Sequence, residues 1–225
     1  ERCSQITACT YHSFCAKMLR KYSQLIGIQS DYTIIDPGDC ADIISIIEAE
    51  HGIDKVKDFP RSSQLVSAHS KALNTNQSLE DALFDMLGKW KYMKIERFIP
   101  DIKKILADYQ SYKKQNNMMD YDDLLINFIS VLKRNPSVKN KLADIYQYIM
   151  IDEYQDSNYL QEKIIFMLRE KNRNLAVVGD DYQCIYGFRG SMVENIINFP
   201  QKMSGCKVVY LTQNYRSNQE IMDLS

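Results

Sequence analysis

Glycine is scarce in this chain, 8 of 225 residues, about half the roughly 7% of an average protein. Three of the eight, Gly179, Gly187 and Gly190, fall within one stretch of twelve residues. That is the pattern of a mostly helical chain with one glycine-rich functional loop. No apolar run approaches the ~18 residues of a membrane span, so a transmembrane helix is excluded and no membrane partner is expected. The cysteines Cys3, Cys9, Cys15, Cys40, Cys184 and Cys206 contain no C-x-x-C pair, and His12, His51 and His69 are not paired at ligand spacing. A structural zinc site or disulfide framework is therefore not expected, and a reducing, cytoplasmic setting is. An excess of either charge is also lacking: 28 Lys+Arg against 29 Asp+Glu leave a net −1. A uniformly basic nucleic-acid coat is ruled out, whereas a local basic patch is not. The phosphate-cradling pattern G-x-x-x-x-G-K-[ST] is missing too. Gly88-Lys89, the single Gly-Lys pair, is followed by Trp90 and has no glycine five residues before it. No signal peptide opens the chain, and its first residue is Glu1, so a piece of a longer protein is expected.

At 45% hydrophobic and 25% charged residues, the chain has the composition of a globular protein, and at roughly 150 residues per domain it holds one large domain or two small ones. Cys3–Cys9 reads as a short strand, and Tyr11–Ile26 as an amphipathic helix with Phe14, Met18, Leu19 and Tyr22 at helical spacing. Residues 27–117 show helical patterns only, broken at Asp36-Pro37-Gly38, Phe59-Pro60 and Asn74-Thr75-Asn76. Charge is polarised within this stretch: residues 27–60 carry eight acids and two bases, residues 86–115 eight bases and three acids. The basic half interleaves aromatics in Lys89-Trp90-Lys91-Tyr92-Met93-Lys94. It is read either as a DNA contact surface or as a solvated helix face with Trp90 in the core.

After Asp120 the pattern changes. Helices are expected over Tyr121–Lys133, about 138–147, from near Ser157, and up to about Phe199. Strands are expected at Tyr148–Ile151, Leu175–Val178 and Lys207–Leu211. Short, non-alternating, β-branched strands between helices predict a parallel sheet covered on both faces, and in such sheets polar residues just past the strand ends line the ligand crevice. The fold class expected is therefore α/β, a parallel-sheet core made of 1–26 and 118–225 with an all-helical insertion, 27–117.

Three polar clusters follow these strands. In Ile149-Met150-Ile151-Asp152-Glu153-Tyr154-Gln155-Asp156 a hydrophobic strand runs into Asp-Glu, the Walker-B arrangement. The first carboxylate serves Mg²⁺ and the second polarises an attacking water. The plainer reading is that Asp156 or Ser157 caps the next helix. In Val177-Val178-Gly179-Asp180-Asp181-Tyr182-Gln183-Cys184-Ile185-Tyr186-Gly187-Phe188-Arg189-Gly190-Ser191, Gln183 is placed to reach a γ-phosphate or its water. Tyr186 and Phe188 could stack bases or pack as core residues. In Gln213-Asn214-Tyr215-Arg216-Ser217, Arg216 suits charge on a transferring phosphoryl group and Tyr215 a purine face; a surface turn capped by Ser217 is the alternative.

Together, in this order and spacing, these clusters resemble the UvrD/Rep/PcrA-type superfamily 1 DNA helicases. Thr10-Tyr11-His12-Ser13-Phe14 is similar to that family's TFHSF element, and Met119–Leu124 extends the match. The resemblance implies a partial RecA-like core and an ATP- and Mg²⁺-dependent motor acting on single-stranded DNA and its junctions with duplex. It implies Asp152 for Mg²⁺ and Glu153 as catalytic base. Gln183 and Arg216 would stand at the γ-phosphate, Arg189 near the nucleotide and Tyr215 on adenine. Thr10, His12, Tyr186 and Phe188 would meet DNA. Cys184 stands where relatives usually have Ser and is a weaker donor. The Asp120–Leu124 element is read as structural. The family's Walker A loop would precede Glu1 and its second RecA-like domain would follow Ser225, so the chain alone is expected to be inactive. An AddA/RecB-type helicase–nuclease shares these motifs, and a non-catalytic helicase-like scaffold is the alternative from another class.

Overall fold

In the computed structural model, residues 6–53, 55–184, 194–215, 218 and 220 are described. The first long element is helix α1, Tyr11–Tyr22, started by Thr10, whose hydroxyl accepts from the Ser13 amide, and closed by Arg20 and Lys21 against the negative end of the helix dipole. A 3-10 turn, Ser23–Ile26, completes the expected helical stretch. Ile6–Cys9 forms no strand. It is exposed and has no ladder partner among the described residues, and apolar alternation without a partner does not make a strand.

Helices α2 (Pro37–Glu50), α3 (Ser62–Thr75), α4 (Leu79–Leu87), α5 (Lys89–Ile95) and α6 (Ile99–Gln115) come next. Their inward stripes, among them Ile44, Leu65, Leu83, Ile102 and Ile105, form one hydrophobic cluster. This region is not helical throughout. Strand β1, Thr33–Ile34, pairs in parallel with β2, Met118–Met119. Two residues are too few to carry a sequence pattern, which is why the helical expectation fails there.

Helix α7, Tyr121–Arg134, is the most thoroughly buried, with Leu124, Leu125, Phe128, Ile129, Val131 and Leu132 all inside. It packs on α1, on α8 (Pro136–Ile145) and on α9 (Tyr159–Arg169), and these four helices share a second cluster. Strand β3, Ile149–Ile151, lies parallel to β4, Leu175–Val177, with Ile149 opposite Leu175 and Ile151 opposite Val177. Short helices α10 (Glu194–Ile197) and α11 (Phe199–Lys202) come after it. Ile149, Ile151, Leu175 and Val177 face a third cluster around Tyr154, Ile165, Phe199 and Met203.

Two expectations about this sheet are corrected. Among the described residues it is covered on one face: Met150, midway along β3, is 78% exposed, and Tyr148 and Val178 are exposed too. Lys207–Leu211 forms no strand; it pairs with nothing among the described residues and is largely exposed. Among the described residues no helix is long and apolar enough to cross a membrane.

The Asp120–Leu124 element has a structural task. Lys113, at the end of α6, is 2% exposed and ion-paired to both Asp120 and Asp123. Those two acids also form the capping box that starts α7, and the Tyr109 hydroxyl donates to Asp120 at 2.9 Å. Burial and the Asp120 charge push the Asp123 carboxyl up to about 6. Burial raises Asp120 as well, but Lys113 outweighs it and holds that carboxyl below its ordinary range.

Replacing Lys113 by Met leaves both carboxylates buried without a cation, a loss of about 3–5 kcal/mol at neutral pH. The deficit shrinks near pH 4, where the carboxyls take up protons. In the wild type, Asp123 keeps its proton to higher pH when folded than when unfolded, so its contribution to stability falls as pH rises from about 4 to 6. Urea unfolding of chain and variant at both ends of that range checks the two signs.

Candidate functional site

Parallel pairing brings the ends of β3 and β4 to the same edge. The Val178 amide donates to the Ile151 carbonyl at 2.8 Å, and the Tyr154 amide to the Val178 carbonyl at 2.9 Å. Two polar loops, Asp152–Ser157 and Gly179–Cys184, therefore leave neighbouring strands side by side.

In the first loop Asp152 and Glu153 are exposed. The Glu153 amide donates to Asp152 Oδ1 at 3.0 Å. Glu153 itself sits in the left-handed region, φ 50°, ψ 45°, which costs a residue with a Cβ about 1–2 kcal/mol. The next residue holds this turn down. Tyr154 is fully buried, edge-on to Phe199 at 5.2 Å, and donates its hydroxyl to Glu162 at 2.9 Å. Burial and Glu162 both raise that phenol above its ordinary pKa. Glu162 also receives Lys202 at 2.7 Å, and Asn195 donates to the Ser157 carbonyl at 3.1 Å. Neither Asp156 nor Ser157 caps α9, contrary to the plainer expectation. Asn158 does, through a capping box with Gln161, because the 3-10 turn Tyr154–Asp156 intervenes.

The second loop is keyed to the first through Gln155, which is 1% exposed. Its Nε2 donates to Glu153 Oε2 at 2.7 Å, and its Oε1 accepts from the Asp180 amide at 3.1 Å. Asp180 Oδ1 in turn accepts from the Tyr182 amide at 3.0 Å and Oδ2 from Gln183 Nε2 at 2.8 Å. The Cys184 thiol lies 3.7 Å from the Gln155 carbonyl as a weak donor. The structure thus brings Asp152, Glu153 and Gln183 into one hydrogen-bonded group. Gln155 and Gly179 stand within the sequence motifs, which give them no role. The signal that marks them is the close approach of two loops, which a one-dimensional pattern does not carry.

Thr10 and His12 lie together at the start of α1. The Thr10 hydroxyl is engaged as the helix cap and also donates to Ser13 Oγ at 3.0 Å. His12 is half-buried, edge-on to Tyr121 at 5.7 Å. Burial lowers its pKa against an opposing pull from Asp122. Tyr11, between them, reaches Ser157 at 3.4 Å and so ties α1 to the first loop. Tyr215 is 87% exposed, and no hydrogen bond or ring contact joins it to the group above among the described residues. Tyr186, Phe188, Arg189 and Arg216 lie outside the described residues.

The basic stretch is settled on one point: Trp90 is not in the core but 81% exposed. On α5, Lys89, Trp90, Met93 and Lys94 share a helix face by their spacing and are all exposed, as is Lys91. None of the three lysines makes an ion pair among the described residues.

Among known proteins, the family described as UvrD/REP helicase N-terminal domain matches residues 1–204. The protein named ATP-dependent DNA helicase PcrA from Staphylococcus epidermidis is 33% identical over 223 residues, 99% of this chain and 29% of that protein. The protein of the same name from Staphylococcus aureus is 34% identical over 214 residues, 95% of this chain and 28% of that protein. The chain thus spans between a quarter and a third of the length of these relatives.

The contact between the loops leaves little room for a side chain at Gly179. A Cβ there would stand 2.5 Å from Gln155 Oε1 and 2.6 Å from Ile196 Cδ1. Gly179→Ala is expected to destabilise by about 1–3 kcal/mol, read as a fall in the thermal midpoint.

Proposed function

The chain belongs to the UvrD/REP helicase N-terminal domain family, and from that premise we propose that it is part of an ATP-dependent DNA helicase that moves on single-stranded DNA. The observation that carries the reading is the exposed Asp152–Glu153 pair at the end of β3, hydrogen-bonded through to Gln183 at the end of the adjacent parallel strand. Neighbouring strand ends are where such sheets bind nucleotides.

In this mechanism the exposed Glu153 carboxylate accepts a proton from the water that attacks the γ-phosphorus, as the bond to the leaving diphosphate breaks. Asp152 is a hard oxygen donor with no cluster of three or more metal-ligating side chains around it among the described residues. That donor set fits Mg²⁺, which is commonly held by one or two carboxylates, phosphate oxygens and water. When bound, Mg²⁺ neutralises charge on the phosphates. Gln183 reads the γ-phosphate and Arg216 stabilises charge there; Arg189 lies near the nucleotide and Tyr215 offers a ring to adenine. Thr10 and His12 meet the DNA backbone, with Tyr186 and Phe188 stacking on bases. We infer that the cluster running from Ile35 to Tyr109 is the core of a helical subdomain, 27–117, inserted in a RecA-like core of 1–26 and 118–225. Without a phosphate-cradling glycine loop, the chain alone is expected not to turn ATP over. The α5 face adds a DNA contact: lysines for phosphates and the Trp90 ring for a base.

Hydrolysis of ATP by the full-length protein carrying this chain, with and without a single-stranded oligonucleotide, tests the reading. Glu153→Gln is expected to lower kcat by about 10²–10⁴-fold. A folded wild type without turnover in either condition would favour the non-catalytic scaffold.

Binding of the same oligonucleotide across a salt series tests α5. Neutralising Lys89, Lys91 and Lys94 together is expected to flatten the slope of log K against log salt by about 2, at roughly 0.7 per phosphate contact. An unchanged slope means the face is merely solvated.

A further inference from the structure

We propose that Gln155 is a positioning residue that couples the orientation of Glu153 to the position of the Gly179–Cys184 loop; this rests on Glu153 being the catalytic base. Three contacts converge on Gln155: its amide donates to the Glu153 carboxylate at 2.7 Å, its amide oxygen accepts from Asp180 at 3.1 Å, and its carbonyl faces the Cys184 thiol at 3.7 Å. Both ends of one buried side chain are therefore committed, one to each loop. A primary amide suits this place because it donates from one end and accepts at the other. A carboxylate could only accept, and an apolar side chain could do neither.

The geometry removes slack from the link. Gln155 is 1% exposed, and the backbone of Gly179 passes so near its Oε1 that a Cβ would stand at 2.5 Å. Gln155 cannot follow Glu153 without losing Asp180, nor follow Asp180 without dragging on Glu153. Asp180 also accepts from Gln183 at 2.8 Å, so displacement of Gln183 towards a phosphate would reach Glu153 through two side chains. The left-handed backbone of Glu153 makes its carboxylate direction dependent on such a tether, since a residue in that region is kept there by its surroundings. Beyond Cys184 the sequence leads to Tyr186 and Phe188, which gives DNA engagement a covalent path to the same loop.

The test uses the full-length protein with three variants, measuring kcat with and without a single-stranded oligonucleotide, affinity for a non-hydrolysable ATP analogue, and thermal midpoint. Gln155→Met, which cuts both tethers, is expected to lower kcat by about 10- to 100-fold. Stimulation by DNA should fall towards unity, while analogue affinity stays within about threefold, a loss confined to the rate. Gln155→Asn keeps a neutral primary amide but is one methylene shorter, so it cannot span from Glu153 to the Asp180 amide. It should show the same loss of rate with a smaller fall in midpoint, and so keeps the test open if the Met variant does not fold. Glu153→Gln is the control. Near wild-type rate and DNA stimulation in both Gln155 variants, with Glu153→Gln inactive, overturns the positioning role and leaves the base intact. Rate, affinity and midpoint falling together in both variants also overturns it, since Gln155 would then only support the fold. Turnover retained in Glu153→Gln instead removes the premise that Glu153 is the base.

Discussion

The pairing of β3 with β4 is the constraint on which the site depends. Three residues of each strand are enough to bring Asp152 and Gly179 to the same edge, because a parallel pair ends both strands in one direction. An antiparallel pair would have sent the two loops to opposite ends. The approach of Gly179 to Gln155 and the bond from the Asp180 amide to Gln155 both result from this. The strands contribute no chemistry. They set a distance, and the loops inherit it.

Among the described residues, the same sheet leaves one face uncovered. Met150 and Val178 are exposed there, whereas parallel sheets usually bury both faces. The other face is anchored by Tyr154 and Phe199, and through Glu162 and Lys202 the first loop is tied to α9 and α11. The site therefore rests on its helical side, where α1 also reaches in through Tyr11 and Ser157. A second anchor lies at the boundary between the two larger hydrophobic clusters. There Lys113 is shared by Asp120 and Asp123, fixing how α6 hands over to α7. Such a pair gains little over an apolar contact of the same shape, but removing one partner is costly, because the other charges are left buried.

How much of this was legible in the sequence differs by element. α1, α7 and α9 carry long apolar stripes at helical spacing, and the structure has them close to the expected bounds. β3 and β4 were legible as short β-branched runs ending in polar clusters. Lys207–Leu211 has the same composition and forms no strand, because composition states a preference while a ladder needs a neighbour. β1 and β2 are too short to show any period. In the site, Asp152, Glu153 and Gln183 stood out by residue type and place. Gln155 did not, since its meaning lies in an amide 25 residues further along the chain. Trp90 was ambiguous, because a short helix of mixed lysine and aromatic residues has the same pattern whether its ring points in or out.

Glu153 and Gly179 show how strain and closeness divide the work. Glu153 holds a left-handed backbone without being glycine, so the turn stores a cost of about 1–2 kcal/mol that its neighbours must offset. The burial of Tyr154 and the two backbone bonds at Tyr154 and Asp156 do so on the backbone, and Gln155 acts on the side chain. Gly179 carries no such cost in its dihedrals; what favours glycine there is the closeness of Gln155 and Ile196. A chain with few glycines has one where the neighbouring loop closes on its backbone, and holds a glutamate in a strained turn on that same loop.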